Sequence, residues 1–156
     1  YKPTSSNNNG DLIIPQIDTE DLSLLDVEGE TFSFAPGKWY LVHFDDFQNI
    51  TFSLDRYKLA TSLKLTLPRE SHRLRRVVIY KDIELFEEAA DLKDLFPEVI
   101  FLYDKNNLFE KRISEQLNNP YFSKSMFLID SFSNVMEEFN VSLTFNEIFE
   151  DLKVLL

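Results

Sequence analysis

There is no cysteine anywhere in the 156 residues. Its absence removes disulfides, thiolate metal sites and thiol redox chemistry together. It leaves the compartment open, because a Cys-free domain is stable in oxidising and reducing surroundings alike. Positive charge is also short, with 16 basic residues against 27 acidic ones and a net charge of -11. A phosphate-backbone binder needs a positive surface, so nucleic acid is not expected as a partner. No apolar stretch approaches the roughly 20 residues that span a bilayer, and no signal peptide is recognisable. The chain opens on Tyr1 rather than Met, which reads as a start inside a longer protein and leaves room for a deleted anchor.

What is present is apolar and aromatic. Hydrophobic residues make up 44% of the chain and aromatics 14%, with fifteen phenylalanines. A chain of this length with that composition is expected to fold as one domain around a substantial aromatic core. Residues 1–10 (YKPTSSNNNG) are polar and of low complexity and read as a flexible lead-in, leaving 11–156 as the domain. Asp11 to Pro15 reads as an edge strand ended by Pro15. Thr31–Phe34, the turn Ala35-Pro36-Gly37 and the run Trp39–Phe44 suggest a hairpin.

Trp39–Phe44 has large side chains on both faces, as expected of a strand covered on both sides. A helix is expected from Ser53 to about Leu67, with Leu59, Leu63 and Leu67 every four residues and Pro68 as its stop. Arg75–Tyr80 and Val99–Tyr103 read as buried strands. Between them, Leu85, Ala89, Leu92 and Phe96 form one helical face ending at Pro97. Leu108–Leu117 reads as a helix capped by Asn106 or Asn107. Ser125–Asp130 and Val135–Phe139 flank a hairpin turn, and a closing helix starts at a Thr144/Glu147 capping box. The order β-β-α-β-α-β-α-β-β-α implies an α/β fold with a parallel central sheet and an antiparallel edge, the thioredoxin-like order with an N-terminal hairpin extension.

A further set of residues carries a family resemblance. These are Asn9-Gly-Asp-Leu-Ile-Ile-Pro15, Gly37-Lys-Trp-Tyr-Leu-Val42, Leu65-Thr-Leu-Pro-Arg69 leading to Arg73-Leu-Arg-Arg76, Phe127-Leu-Ile-Asp130 with Ser133-Asn-Val-Met136, and the ending from Ile148 to Leu156. In that order the chain resembles the membrane-anchored thioredoxin-like proteins of proteobacteria related to the Sco-type cytochrome oxidase assembly factors. The resemblance implies a single N-terminal helix in the inner membrane, cut away here, with Tyr1–Asn9 as a juxtamembrane linker and the domain facing the periplasm. It also implies a CxxxC pair in the loop after the Trp-containing strand and, in Sco proteins, a distal copper-ligating histidine. Those positions fall at Asn49, Ser53 and near Phe122. Neutral amide and hydroxyl groups are not thiolates, and a phenyl ring ligates nothing, so neither disulfide exchange nor the Sco copper site is expected. The thioredoxin proline before the hairpin strand is missing too, since Lys124-Ser125 precedes Met126.

The remaining polar groups have ordinary structural readings beside sharper ones. His43 reads as a buried core histidine. His72 with Arg69, Arg73, Arg75 and Arg76 reads as a solvated connection or, alternatively, as a patch for an anion or acidic partner. Asp45 and Asp46 read as loop carboxylates near a helix N-terminus, too few for a hard-cation site with Asn49; an enzyme using either would need a polar pocket at the loop. Ser53 reads as a helix N-cap rather than a nucleophile. Met126 and Met136 read as core filler, and Glu84, Glu87, Glu88, Asp91 and Asp94 as a solvated helix face. Phe47, Ile50 and Phe52 either plug the old site or, with Asp45 and Asp46, present a loop to a protein partner. The expectation is a redox-inactive protein-interaction or assembly module with no cofactor. The alternative is copper handling through His43, His72, Met126 and Met136.

Overall fold

The computed structural model describes residues 8–67 and 73–156. Eight strands form one mixed sheet in the order β1-β8-β7-β4-β5-β6-β2-β3. At its centre β4 (Trp39–Phe44) and β5 (Leu74–Tyr80) pair in parallel, as do β5 and β6 (Ile100–Asp104). Every residue of β4 is buried, because helices cover both of its faces. On its other side β4 pairs antiparallel with β7 (Met126–Ile129), which continues into β8 (Asn134–Phe139) as the expected hairpin. This is the α/β, thioredoxin-like architecture expected from the strand and helix order.

Four helices lie on one face: α1 (Ile50–Thr66), the pair α2 (Ile83–Glu88) and α3 (Ala90–Leu95), and α6 (Phe145–Leu155). On the other face α4 (Leu108–Ser114) and α5 (Pro120–Ser123) cover Tyr40, Val42 and Phe44. Phe44 sits edge-on to Phe109, Tyr121 and Phe127 at centroid distances of 5.0, 5.4 and 5.8 Å. Such a cluster combines full burial, about 1.5–3 kcal/mol for a large apolar side chain, with favourable edge-to-face geometry.

Several sequence expectations are corrected. β1 (Asp11–Asp18) is an edge strand but runs past Pro15, because its register on β8 shifts between Leu12 and Ile17 and the proline needs no ladder bond there. Thr31–Phe32 (β3) does not form a hairpin with β4. It pairs with a two-residue strand, β2 (Leu24–Leu25), at the far edge. The chain then returns to the middle of the sheet, where Gly37 N–H donates to the Ser131 carbonyl. The helix over Leu85–Phe96 breaks at Ala89, whose backbone (φ -96°, ψ 22°) leaves the helical region. Asn106 and Asn107 adopt left-handed φ values of 61° and 56° and cap nothing with their side chains. Asp104 does that work instead, accepting the Phe109 and Glu110 N–H groups at 2.9 Å. Thr144 and Glu147 form the expected reciprocal capping box.

Asn9 and Gly10, placed in the lead-in by composition, are tied to the domain. Their N–H groups donate to the Asp151 carboxylate at 2.9–3.0 Å. Among the described residues no helix is long and apolar enough to cross a membrane.

Candidate functional site

The carboxyl ends of β4, β5 and β6 lie on one edge of the sheet, where ligand sites of open α/β sheets form. The β4–α1 loop, residues 45–49, occupies it. Asp45 is buried and accepts two bonds, from Phe47 N–H at 2.8 Å and from the Tyr57 hydroxyl at 2.7 Å. The first closes an Asx turn that holds Phe47 at a left-handed φ of 57°. That conformation costs a non-glycine residue about 1 kcal/mol. Burial of the Phe47 ring against Tyr80 and Phe86, at 6.0 and 5.9 Å, offsets it. Burial, and then the Asp45 carboxylate, push the Tyr57 phenol upward, so it keeps its proton and remains a donor.

Asn49 is the helix N-cap, its side chain accepting Phe52 N–H at 3.1 Å. The reading of Ser53 as the cap is therefore corrected, because α1 starts three residues earlier. Ser53 is 1% exposed, and its hydroxyl donates to the Asn49 carbonyl at 3.2 Å, one turn back. The two positions that resemblance assigns to cysteines thus serve to start a helix. Phe122, the position assigned to the distal histidine, is 87% exposed on α5.

Phe47, Ile50 and Phe52 divide between the two expectations. Phe47 is buried, Phe52 half-buried and Ile50 43% exposed. The Phe52 ring lies 6.1 Å from that of His43, with the Arg56 guanidinium 5.3 Å and the Lys124 ammonium 5.7 Å from its centre. Lys124 reaches across from the connection before β7, 3.7 Å from the Asp46 carboxylate, and closes the loop over Phe52. An enzyme built on Asp45 or Asp46 needs a polar pocket here. Asp45 is fully engaged and the loop is packed by Phe47 and Phe52, so that reading fails.

His43 is buried, and its Nδ1 has no protein partner. Burial lowers its pKa to about 4, with Arg56 and Lys124 adding to the shift against Asp45, and the ring is neutral at pH 7. It borders a small void of about 10 Å3 with Arg56, Arg76 and Met126. Met126 is its cross-strand neighbour, whereas Met136 occupies the register shift further along β8. Copper fits this surrounding poorly, because two buried guanidinium groups oppose a cation. Among the described residues no three or more His, Asp or Glu side chains are grouped with metal-holding geometry.

Among the described residues the basic cluster does not form one patch. Arg69 and His72 lie outside the described residues. Arg73 is half-buried and Arg75 exposed, but Arg76, next along β5, points to the opposite face. There it is buried and bonded to the Thr61 hydroxyl at 2.6 Å.

Two polar constellations escaped the sequence reading. At the carboxyl end of β5, Lys81 bonds Glu110 at 3.0 Å, and Asn119 donates to the same carboxylate at 2.7 Å. Under β8, Glu137 is 0% exposed and meets no protein donor. Burial first, then the hydrogen bond to and repulsion from Asp151, push its pKa up to about 9. Glu137 is therefore held toward its neutral form beside Asp151, the same carboxylate that holds Asn9 and Gly10. A Cβ at Gly10 would lie 2.6 Å from Glu137 Oε2 and 2.8 Å from Phe139 Cδ1, so only glycine allows this approach.

No protein-family model matches the sequence, and no curated protein matches it. Solved structures do. BsSco, a member of the Sco family of cytochrome c oxidase assembly proteins described with a disulfide switch, superposes with a TM-score of 0.65 at 15% identity, over 90% of this chain and 94% of that one. A SCO1/SenC family lipoprotein from Bacillus anthracis gives 0.64 at 16% identity, over 92% and 98%. The thioredoxin domain of a thiol-disulfide oxidoreductase from Bacteroides vulgatus gives 0.61 at 11% identity, over 90% and 99%. The chain has the thioredoxin-like fold these proteins share, and it has no cysteine with which to run thiol–disulfide chemistry.

Proposed function

We propose that this domain is a non-catalytic thioredoxin-like module that works by binding other proteins. Its setting is the periplasmic face of a membrane, in respiratory oxidase or envelope assembly, with an anchor preceding the chain described here. One observation carries the reading. The loop that would hold a CxxxC pair is converted into structure, with Asn49 as a cap, Ser53 turned onto its carbonyl and Lys124 closed over Phe52. The membrane setting draws support from the similarity to a protein named as a lipoprotein, and the assembly role from one named for cytochrome c oxidase. Both are analogies of fold. Residues 1–10 are the linker in this reading, its last two held by Asp151.

The purified domain is expected to reduce or oxidise a disulfide substrate no faster than buffer; a rate above buffer removes the non-catalytic reading. Crosslinking with the anchored full-length chain in its own membranes is expected to trap a defined protein. No adduct at any position would count against a binding role.

The copper alternative retains one favourable feature, the pairing of His43 with Met126 across β4 and β7. A calorimetric copper titration with no binding tighter than about micromolar disposes of it.

A further inference from the structure

Resting on that binding reading, we infer that the groove between α1 and the broken helix α2–α3 docks a basic amphipathic helix. The groove holds about 320 Å3 beside the converted loop. Phe47 and Leu92 form part of its floor, with Leu54 and Leu85 half-buried beside them, and Ile50 and Leu95 stand open to solvent at 43% and 64% exposure. The break at Ala89 puts a small residue at the bend, where it lines the groove. An apolar surface of this kind, beside the loop and open to solvent, is the type that marks a binding site.

Charge selects the occupant. Glu88 and Asp91 line the groove, and no lining side chain is basic. Glu84, Glu87 and Asp94 on the same two helices are exposed, with Lys93 the one basic residue in α2–α3. Such a rim attracts lysine and arginine and repels anionic lipid headgroups. Both walls are helices rather than a free strand edge, so an added strand has no ladder to join. A helix with apolar residues at i, i+3, i+4 and i+7 and basic residues flanking them satisfies both floor and rim.

The test uses an amidated leucine–lysine peptide of about 16 residues with that spacing, titrated by fluorescence anisotropy. Saturable binding in the range of about 10 μM is expected, weakening as salt is added. I50E/L95E, at exposed positions, is expected to weaken binding about tenfold or more while the melting temperature holds. E88K/D91K is expected to weaken it comparably and to flatten the salt dependence. A leucine–glutamate peptide of equal spacing should not bind. Equal binding of both peptides, or affinity unchanged in both double variants, overturns the groove. A photocrosslinker placed at Leu95 and, separately, at the remote exposed Phe132 of the full-length chain distinguishes the two levels of the proposal. Adducts from Leu95 that map to a basic amphipathic segment support the groove. Adducts from Phe132 alone overturn the groove and leave the binding module standing, and none from either counts against both.

Discussion

Asp45 at the end of β4 and Glu137 in the middle of β8 are both buried acids, and the fold treats them in opposite ways. Asp45 is surrounded by donors, the Phe47 N–H and the Tyr57 hydroxyl. Glu137 is given none and keeps its own proton against Asp151. One end of the molecule uses an acceptor to fix a loop that, in proteins of similar fold, is expected to carry chemistry. The other buries Glu137 beside Asp151, the carboxylate that fastens the entering chain at Asn9 and Gly10. A buried charge is costly unless its bonds are made, and a carboxyl that lacks donors takes the other course and stays protonated. The resemblance directs attention to the first end, whereas the buried carboxyl without a donor lies at the second.

The largest expected effect falls on the loop. Phe47→Ala removes a buried ring that rests on Tyr80 and Phe86 and keeps the left-handed backbone it had offset. A loss of about 3–5 kcal/mol is expected in urea unfolding. A loss below about 1 kcal/mol would mean that the loop is not packed as described.

The two ends should also titrate with opposite signs. His43 has a folded pKa of about 4 against 6.5 unfolded. Between those values the unfolded chain binds more protons, so stability falls as pH drops from 6.5 to 4, by about 3 kcal/mol. His43→Leu should abolish that slope. Glu137 has a folded pKa of about 9 against 4.5. There the folded chain binds more protons, so its contribution is complete below 4.5 and is lost as pH rises toward 9. Glu137→Gln keeps the shape of the side chain without the titration, and is expected to stabilise the domain by about 2 kcal/mol at pH 7. Between 4.5 and 6.5 the two slopes oppose each other, and above 6.5 only that of Glu137 remains. Denaturant midpoints across pH for wild type and both variants separate them. A Glu137→Gln curve parallel to wild type above pH 6.5 would contradict the neutral-acid assignment.

Much of the fold was legible because it is carried by long or reciprocal signals. The β4 run, the β7–β8 hairpin and the Thr144/Glu147 box all depend on local pattern, and local pattern survives in the structure. Two-residue pairings were not legible. Leu24–Leu25 and Thr31–Phe32 join only because β6 offers an edge, which is a long-range fact. The break at Ala89 was hidden because Leu85, Ala89, Leu92 and Phe96 keep one face buried on either side of it. At the site, the residue types at Asn49 and Ser53 were legible, but the start of α1 at Ile50 was not, and it changed the role of Ser53. Glu137 did leave a trace. Val135, Glu137 and Phe139 alternate at strand period and are all buried, so an acid in the middle of an inward-facing row could have been noticed.

The smallest expected effect tests whether Asn49 and Ser53 are now purely structural. Asn49→Ala removes the acceptor for Phe52 N–H and should cost about 1 kcal/mol. Ser53→Ala should cost less, because the Asn49 carbonyl it contacts already accepts the Ser53 N–H at 3.0 Å. Asn49→Asp is the informative variant. A carboxylate caps as well as an amide and gains a few tenths of a kcal/mol from the helix dipole, so it should match or exceed wild type in thermal unfolding. A residue kept only as a cap tolerates that exchange. If Asn49→Asp destabilised the domain as much as Asn49→Ala, the position would be answering to something other than the start of α1, and the contrast with the Glu137 end would have to be redrawn.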